Sequence, residues 1–295
     1  VVKEQFREIK FRAESLERID LCNEIIDDYL GQGLRLTLRQ LYYQLVSRDV
    51  IPNSEKSYKS LGGLVSDARL AGLMDWSAIE DRVRQPKRAS EFNNLEELVQ
   101  AALRSYRLPR WKGQAAYVEL WVEKDALAGV LWPIAHEYHV VLMVNRGYSS
   151  QSAMYESAER FKESFEDDGD RELVLLYLGD HDPSGEDMVR DVKERLEMFG
   201  AFLRVEKLAL TMDQVRQYRP PPNPAKITDS RAKAYIEKYG DKSWEVDALP
   251  PERLSRIIRQ ALDAEVDQVM MNKIKAQEEQ DKDALRKAVA KIMKK

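Results

Sequence analysis

The chain has 295 residues, 43% hydrophobic and 33% charged, which is enough for one large domain or two ordinary ones. Its 47 basic and 51 acidic residues give a net charge of −4, which argues against a non-specific coat on nucleic acid but permits a local basic surface. Cys22 is the only cysteine, which excludes intramolecular disulfides and cysteine zinc clusters and is typical of a reducing compartment. No apolar run approaches the roughly 18 residues of a membrane span and no signal peptide opens the sequence, so we expect a cytoplasmic protein.

The N-terminal part is predicted to be helical and locally basic. Residues 31–112 hold 14 Lys and Arg against 9 Asp and Glu, so contacts with phosphates are expected here. Apolar spacing predicts a helix over residues 1–30, and Thr37 is predicted to cap a second helix, TLRQLYYQLVSR.

The second helix carries a candidate nucleophile. On a helical wheel, one face is apolar and is predicted to be buried: Leu38, Leu41, Tyr42 and Leu45. Tyr43 and Arg39 lie one turn apart on the other flank and are predicted to be exposed. Tyr43 is then either an ordinary packing aromatic or a nucleophile whose phenolate form the guanidinium favours.

The pattern that follows is that of a DNA-binding domain or of an ordinary helical bundle. A helix is predicted over residues 57–71, an extended piece over 76–83 and a basic turn over 84–88. Helix, turn, helix and basic hairpin is the order of a winged helix-turn-helix. A helical bundle with a charged, solvated face fits the same pattern equally well. A further helix over residues 96–106 leads into a linker.

Residues 114–210 alternate between strands and helices, which predicts a parallel sheet covered on both faces. The predicted strands are 117–122, 139–144, 173–178 and 202–208, and the predicted helices are 125–138, 149–165 and 184–199.

Acidic residues follow two of these strands. Glu123 comes directly after the first strand, and Asp180 and Asp182 follow the third. In sheets of this kind, ligands bind at the carboxyl ends of the strands, where Gly147 also lies. An acidic loop with a helix cap would account for one such end. Two ends supplying three carboxylates instead predict a site for Mg²⁺.

Beyond residue 210 the pattern is weaker. We expect a capped helix after Thr211, an extended proline-rich segment over 218–224, and helices over 230–239 and 251–295. The predicted organisation is a helical arm and winged helix (1–112), a metal-binding α/β domain (113–210) and a C-terminal helical extension (211–295).

Four segments together resemble the A subunit of topoisomerase VI and its relative, the meiotic double-strand-break transesterase. They are RQLYY at 39–43, VEKDALAGVL at 122–131, NRGYSS at 145–150 and GDHDPSGEDM at 179–188. They resemble the family patterns R-D-I-Y-Y, V-E-K, G-K-G-Y/V-P and D-x-D-P-x-G in order and approximate spacing. The resemblance implies a winged-helix domain followed by a TOPRIM domain.

The resemblance also implies roles for individual residues. Tyr43 would form a 5′-phosphotyrosyl link to double-stranded DNA with help from Arg39, and Glu123, Asp180 and Asp182 would bind Mg²⁺, for which Mn²⁺ can substitute. Lys124 would add a cation near the phosphate. In this family the tyrosine of one protomer works with the metal site of the other, which implies a homodimer, and strand passage needs a separate ATPase B subunit.

Two departures keep other functions open. Gln40 and Leu41 replace the family's Asp and Ile, and the chain is shorter than typical topoisomerase A subunits. It also contains no Gly-rich nucleotide loop, so topoisomerase activity by this chain alone is not expected. The first alternative is a TOPRIM nuclease that hydrolyses DNA with activated water, and the second is a winged-helix protein that binds DNA without cleaving it.

Overall fold

A parallel four-stranded sheet forms the centre of the computed structural model, which describes residues 3–76, 79, 89–145, 147–169, 171–225 and 231–293. The strands are β1 (Ala116–Val122), β2 (Val141–Val144), β3 (Glu172–Leu178) and β4 (Arg204–Ala209), in the spatial order β2-β1-β3-β4. β1 and β3 are central, and nearly all of their residues are buried because helices cover both faces. The predicted α/β class and parallel sheet are confirmed.

The remaining elements surround the sheet or precede it. The helices are α1 (Ala13–Gly31), α2 (Leu38–Ser47), α3 (Glu55–Leu70), α4 (Leu95–Ser105), α5 (Ala128–Tyr138), α6 (Gln151–Asp168), α7 (Pro183–Met198), α8 (Met212–Tyr218), α9 (Ala232–Tyr239), α10 (Pro251–Glu265) and α11 (Gln268–Met293). A short antiparallel pair joins β5 (Asn223–Pro224) to β6 (Lys242–Ser243). Across the described ranges, every helix is too short or too polar to span a membrane.

Two apolar layers hold the sheet. On one face α5 and α10 pack against the strands, with Leu254, Ile258 and Leu262 of α10 in the same buried cluster as Leu120. On the other face α6 and α7 pack, with Phe161 fully buried. Helix α10, which comes from the C-terminal part of the chain, therefore belongs to the core around the sheet.

The N-terminal helices build a core of their own. The buried side chains of α1, α2 and α3 pack together, and Ala248 of the C-terminal segment joins them. Residues 77, 78 and 80–88, which include most of the predicted basic hairpin, lie outside the described residues. The winged helix therefore stays a prediction.

Two predicted helices differ in their bounds. The first begins only at Ala13, because the N–H groups of Phe6 and Arg7 bond to the carbonyl oxygen of Leu70 and hold this segment against α3. The predicted helix over 251–295 is broken at Asp267. Its carboxylate accepts the N–H groups of Val269 and Met270 and starts a new helix there.

Candidate functional site

The adjacent strands β1 and β3 bring the predicted acids together. Val122 lies beside Leu178 in the register of the two strands, so the residues that follow them meet at one edge. The N–H of Asp180 donates to Oε2 of Glu123 at 3.0 Å. The two strand ends therefore lie side by side, as the parallel arrangement predicts.

Asp182 is at the same time an ordinary helix cap. Its Oδ1 accepts the N–H of Gly185 at 2.6 Å and so starts α7, with Pro183 in the first turn. A Cβ at position 185 would lie 2.2 Å from the carbonyl oxygen of Asp180. Only glycine permits this close approach of helix and loop.

The acids repel one another and are poorly solvated. Burial raises the pKa of Glu123, and the nearby Asp182 raises it further. Burial, with Glu123 and Asp247, raises the pKa of Asp180 to about 7 against the opposing effect of Lys124. The sheet edge therefore holds more negative charge than its surroundings neutralise, which is what a bound cation would relieve.

The Lys124 ammonium partly fills that role. Its Nζ lies 2.9 Å from Asp180, 2.8 Å from Glu245 and 2.9 Å from Asp247. Burial alone would lower the pKa of Lys124, but the three carboxylates outweigh burial and raise it. Lys124 is therefore a cation next to the acids, and its predicted role at a phosphate stays a prediction.

Glu245 and Asp247 are site residues that the sequence analysis missed. They lie in a short turn after β6, and Asp247 is fully buried. Arg39 pairs with both of them, its Nε lying 3.0 Å from Oδ2 of Asp247. A second acid-x-acid pair in the sequence, Glu245-Val-Asp247, was the one available indication.

Tyr43 is buried, and its predicted exposure is wrong. Only 3% of the residue is accessible, because the turn that carries Glu245 and Asp247 packs against α2 on the flank opposite α1 and α3. Burial and these two carboxylates raise the pKa of the Tyr43 phenol, while Arg39 opposes the shift without overcoming it. The expected phenolate is therefore not favoured in this state.

Arg39 does lie beside Tyr43, as the wheel predicts. Its guanidinium carbon is 5.8 Å from the centroid of the Tyr43 ring. Tyr42 is buried as predicted, and its hydroxyl donates to Oδ1 of Asn53 at 2.8 Å and accepts the N–H of Ser54 at 2.7 Å. The two tyrosines thus have different partners.

A single cavity of about 400 Å³ joins these groups. Tyr43 and Arg39 line it together with Asp180, Asp182 and Glu245. Side chains from the N-terminal helices and from the sheet edge of one chain therefore face the same space.

The C-terminal segment fixes the acidic loop from behind. The backbones of His181 and Trp244 exchange two hydrogen bonds, of 2.8 and 2.9 Å. The Tyr235 hydroxyl donates to the carbonyl oxygen of His181 at 2.8 Å and also lies 2.7 Å from Nδ1 of the His181 ring. The N–H of Val246 donates to Oδ1 of Asp180 at 2.8 Å. Backbone hydrogen-bonding groups therefore connect the loop that carries Asp180 and Asp182 to the segment that carries Glu245 and Asp247.

The donor set suits magnesium in its chemistry. Carboxylate oxygens at a strand end are what Mg²⁺ prefers, and it usually takes one or two of them and completes its shell with water and phosphate. Over the described residues, no cluster of three or more His, Cys, Asp or Glu side chains is arranged to hold a metal ion. A magnesium site at Glu123, Asp180 and Asp182 thus stays a prediction.

Comparisons with known proteins add no family to this geometry. No protein-family model matches the chain, and no curated protein matches it closely enough to count as a relative.

Proposed function

We propose that this chain cleaves double-stranded DNA by Mg²⁺-dependent transesterification, with Tyr43 as the nucleophile. The observation that carries the proposal is the cavity that Tyr43 shares with Asp180 and Asp182. A nucleophile, carboxylates able to hold a metal, and the cations Arg39 and Lys124 are the groups that attack on a phosphodiester requires.

Each group has a part in the proposed step. Glu123, Asp180 and Asp182 would hold Mg²⁺, which supplies charge stabilisation to the phosphate when bound. The oxygen of Tyr43 would bond to phosphorus as the 3′ oxygen of the DNA leaves and takes a proton from water. Because the pKa of Tyr43 is raised, a base must take the phenol proton. Because Asp180 would hold the metal, solvent takes this proton and returns one to the departing 3′ oxygen.

Hydrolysis by an activated water is the second candidate, and one observation favours it. Arg39 is paired with Glu245 and Asp247 and does not lower the pKa of Tyr43 below its ordinary value. In that mechanism the acids would activate water and Tyr43 would only shape the cavity.

Denaturing quench of a cleavage reaction separates the two candidates. Supercoiled plasmid is incubated with the protein and Mg²⁺ or Mn²⁺, quenched with detergent, and analysed with and without protease. Transesterification predicts broken DNA that stays attached to protein until protease is added. Tyr43→Phe should then reduce cleavage by about 100-fold or more, while Tyr58→Phe, on the same cavity, should change it little.

Other results of the cleavage assay would support one of the alternative functions. Free nicked DNA from both the wild type and Tyr43→Phe would establish hydrolysis. DNA binding without cleavage under any of these conditions would support a DNA-binding protein that does not cleave alone, with or without an ATPase partner subunit.

We further propose that the chain works as a homodimer, and mixing two inactive variants tests how its sites are built. If the tyrosine of one protomer serves the acids of the other, Tyr43→Phe mixed with Asp180→Asn forms one intact site per heterodimer and cleavage returns. If each chain uses its own cavity, both sites stay broken and the mixture is inactive.

A further inference from the structure

Glu245 occupies the most cation-rich position of the cavity. Its carboxylate contacts the guanidinium of Arg39, lies 2.8 Å from Nζ of Lys124 and accepts a hydrogen bond of 3.3 Å from Nδ2 of Asn223. Three donors, two of them cationic, therefore converge on one carboxylate.

The two acids of this turn are held differently. The side chain of Asp247 has no accessible surface and bonds to Arg39 and Lys124 from behind, whereas that of Glu245 is 23% exposed and lines the cavity. A buried counter-ion for the two cations is thus already present without Glu245. Glu245 stands on the open side, where a ligand from solvent would arrive.

A phosphodiester resembles this carboxylate in the features that the donors recognise. Both carry one negative charge on two equivalent oxygens, and a guanidinium binds both with its parallel N–H groups. The donor set around Glu245 is therefore also a set for the two non-bridging oxygens of a phosphate.

We propose that Arg39, Lys124 and Asn223 form a phosphate-binding subsite in which Glu245 is a resident anion that a DNA phosphate displaces. The inference rests on the proposed function only in taking the incoming anion to be DNA. Displacement exchanges one anion for another, so the charge of the cluster is conserved while Asp247 keeps Arg39 and Lys124 in place. Glu245 would then compete with incoming anions for these donors, and only a phosphate placed correctly in the cavity would displace it.

Charge keeps the resident anion in place over the working pH range. Although burial alone would raise the pKa of Glu245, Lys124 and Arg39 lower it to about 2. Protonation therefore does not release this carboxylate near neutral pH, and competition by another anion is the way to free the subsite.

The first test uses inorganic sulfate, so that it does not depend on DNA cleavage. Thermal unfolding is followed against sulfate concentration, with sodium chloride at equal ionic strength as the reference. Glu245→Gln keeps the side-chain volume and removes the competing charge, so half-saturation should occur at about tenfold lower sulfate. Glu137→Gln, which breaks a 2.7 Å ion pair with Arg259 away from the cavity, should behave as the wild type does.

The same pair of variants is then titrated with a short labelled duplex in the absence of divalent metal. Glu245→Gln should bind it about tenfold more tightly than the wild type and Glu137→Gln less than about twofold. Equal effects of the two variants, or weaker binding by Glu245→Gln, would overturn the proposal. A gain for sulfate without a gain for duplex would keep the anion subsite and remove DNA as its ligand.

A measurement on the unmodified protein covers the case in which Glu245→Gln does not fold. Carbodiimide coupling of carboxylates, read by mass spectrometry, should modify Glu245 slowly in the free protein and several-fold faster in saturating sulfate. Unchanged or slower labelling of Glu245 with sulfate would mean that the carboxylate is a fixed structural partner. Loss of plasmid cleavage with all of these responses intact would refute the proposed function alone.

Discussion

Each acid-x-acid pair places a carboxylate against the Lys124 ammonium, and two of these carboxylates, Asp180 and Glu245, are in opposite electrostatic states. Asp180 and Glu245 lie 2.9 and 2.8 Å from the same Nζ. Yet the pKa of Asp180 is raised to about 7, while that of Glu245 is lowered to about 2. The same spacing of acids and the same nearest cation thus give different protonation behaviour.

The rest of the environment causes the difference. Asp180 is more deeply buried and has the carboxylates of Glu123 and Asp247 as further neighbours, whereas Glu245 is more exposed and also has Arg39. Burial and like charge favour the neutral acid, and a second cation favours the ionised one. Asp180 is therefore suited to accept a proton or a metal, and Glu245 to serve as a permanent anion.

Of the changes considered, removing Asp247 from the Glu245–Asp247 pair should have the largest effect on the free energy of unfolding. Asp247→Ala takes the fully buried counter-ion from Arg39 and Lys124, which we expect to lower the free energy of unfolding by about 3–5 kcal/mol. Chemical denaturation measures this. Glu245→Gln, at the partly exposed partner whose pKa is lowered to about 2, should cost a smaller amount of about 2 kcal/mol near neutral pH, and equal losses would show that the two acids are equivalent.

Neutralising Asp180 tests the contrast between Asp180 and Glu245, because it should change how the free energy of unfolding depends on pH. An acid whose pKa is raised on folding takes up a proton in the folded state. Its contribution to the free energy of unfolding is therefore complete below about pH 4 and is lost as the pH rises to about 7. Asp180→Asn should be more stable than the wild type by about 2–4 kcal/mol at about pH 8, and nearly equal to it at about pH 4.

Denaturation at the two pH values without divalent metal provides this measurement. Adding Mg²⁺ should stabilise the wild type at the higher pH and leave Asp180→Asn nearly unchanged, if the acids bind the ion. A stability difference that is the same at both pH values would contradict the raised pKa.

Removing the Tyr235 hydroxyl, which holds the loop between Asp180 and Asp182, should have the smallest effect on the free energy of unfolding. Tyr235→Phe removes hydrogen bonds of 2.8 Å to the carbonyl oxygen of His181 and 3.1 Å to that of Lys242, at a cost of about 1–2 kcal/mol. Tyr239→Phe, whose ring packs on the same imidazole with 4.7 Å between centroids, should cost under about 0.5 kcal/mol. The free energies of unfolding of the two variants give the comparison, and a larger loss for Tyr239→Phe would show that the Tyr235 hydroxyl is not what connects the two segments.

The sheet and the first acid pair were accessible from the sequence because local patterns determine them. The apolar run that became β3 lies buried on both faces, and chain polarity alone places Asp180 at its carboxyl end.

The second acid pair and the burial of Tyr43 depend on contacts that no local pattern contains. Glu245 directly precedes the three-residue turn Val246–Ala248 that holds Asp247, and no periodic pattern marks this segment. A helical wheel shows the apolar face of α2, but it does not show that this turn covers Tyr43 on another face. A helix packed on two sides has no exposed flank to find.

The hydrogen bond from the N–H of Val246 to the Asp180 carboxylate joins residues 66 positions apart, which has a consequence for how the protein acquires its site. Closing so long a loop carries an entropic cost, so this contact forms only when the sheet and the C-terminal segment are both in place. A chain shortened to end before β5 would retain the strand-end acids and Lys124 but lack Glu245 and Asp247. Completion of the site is therefore coupled to completion of the fold, and a partly synthesised chain would not yet have the full arrangement of charges.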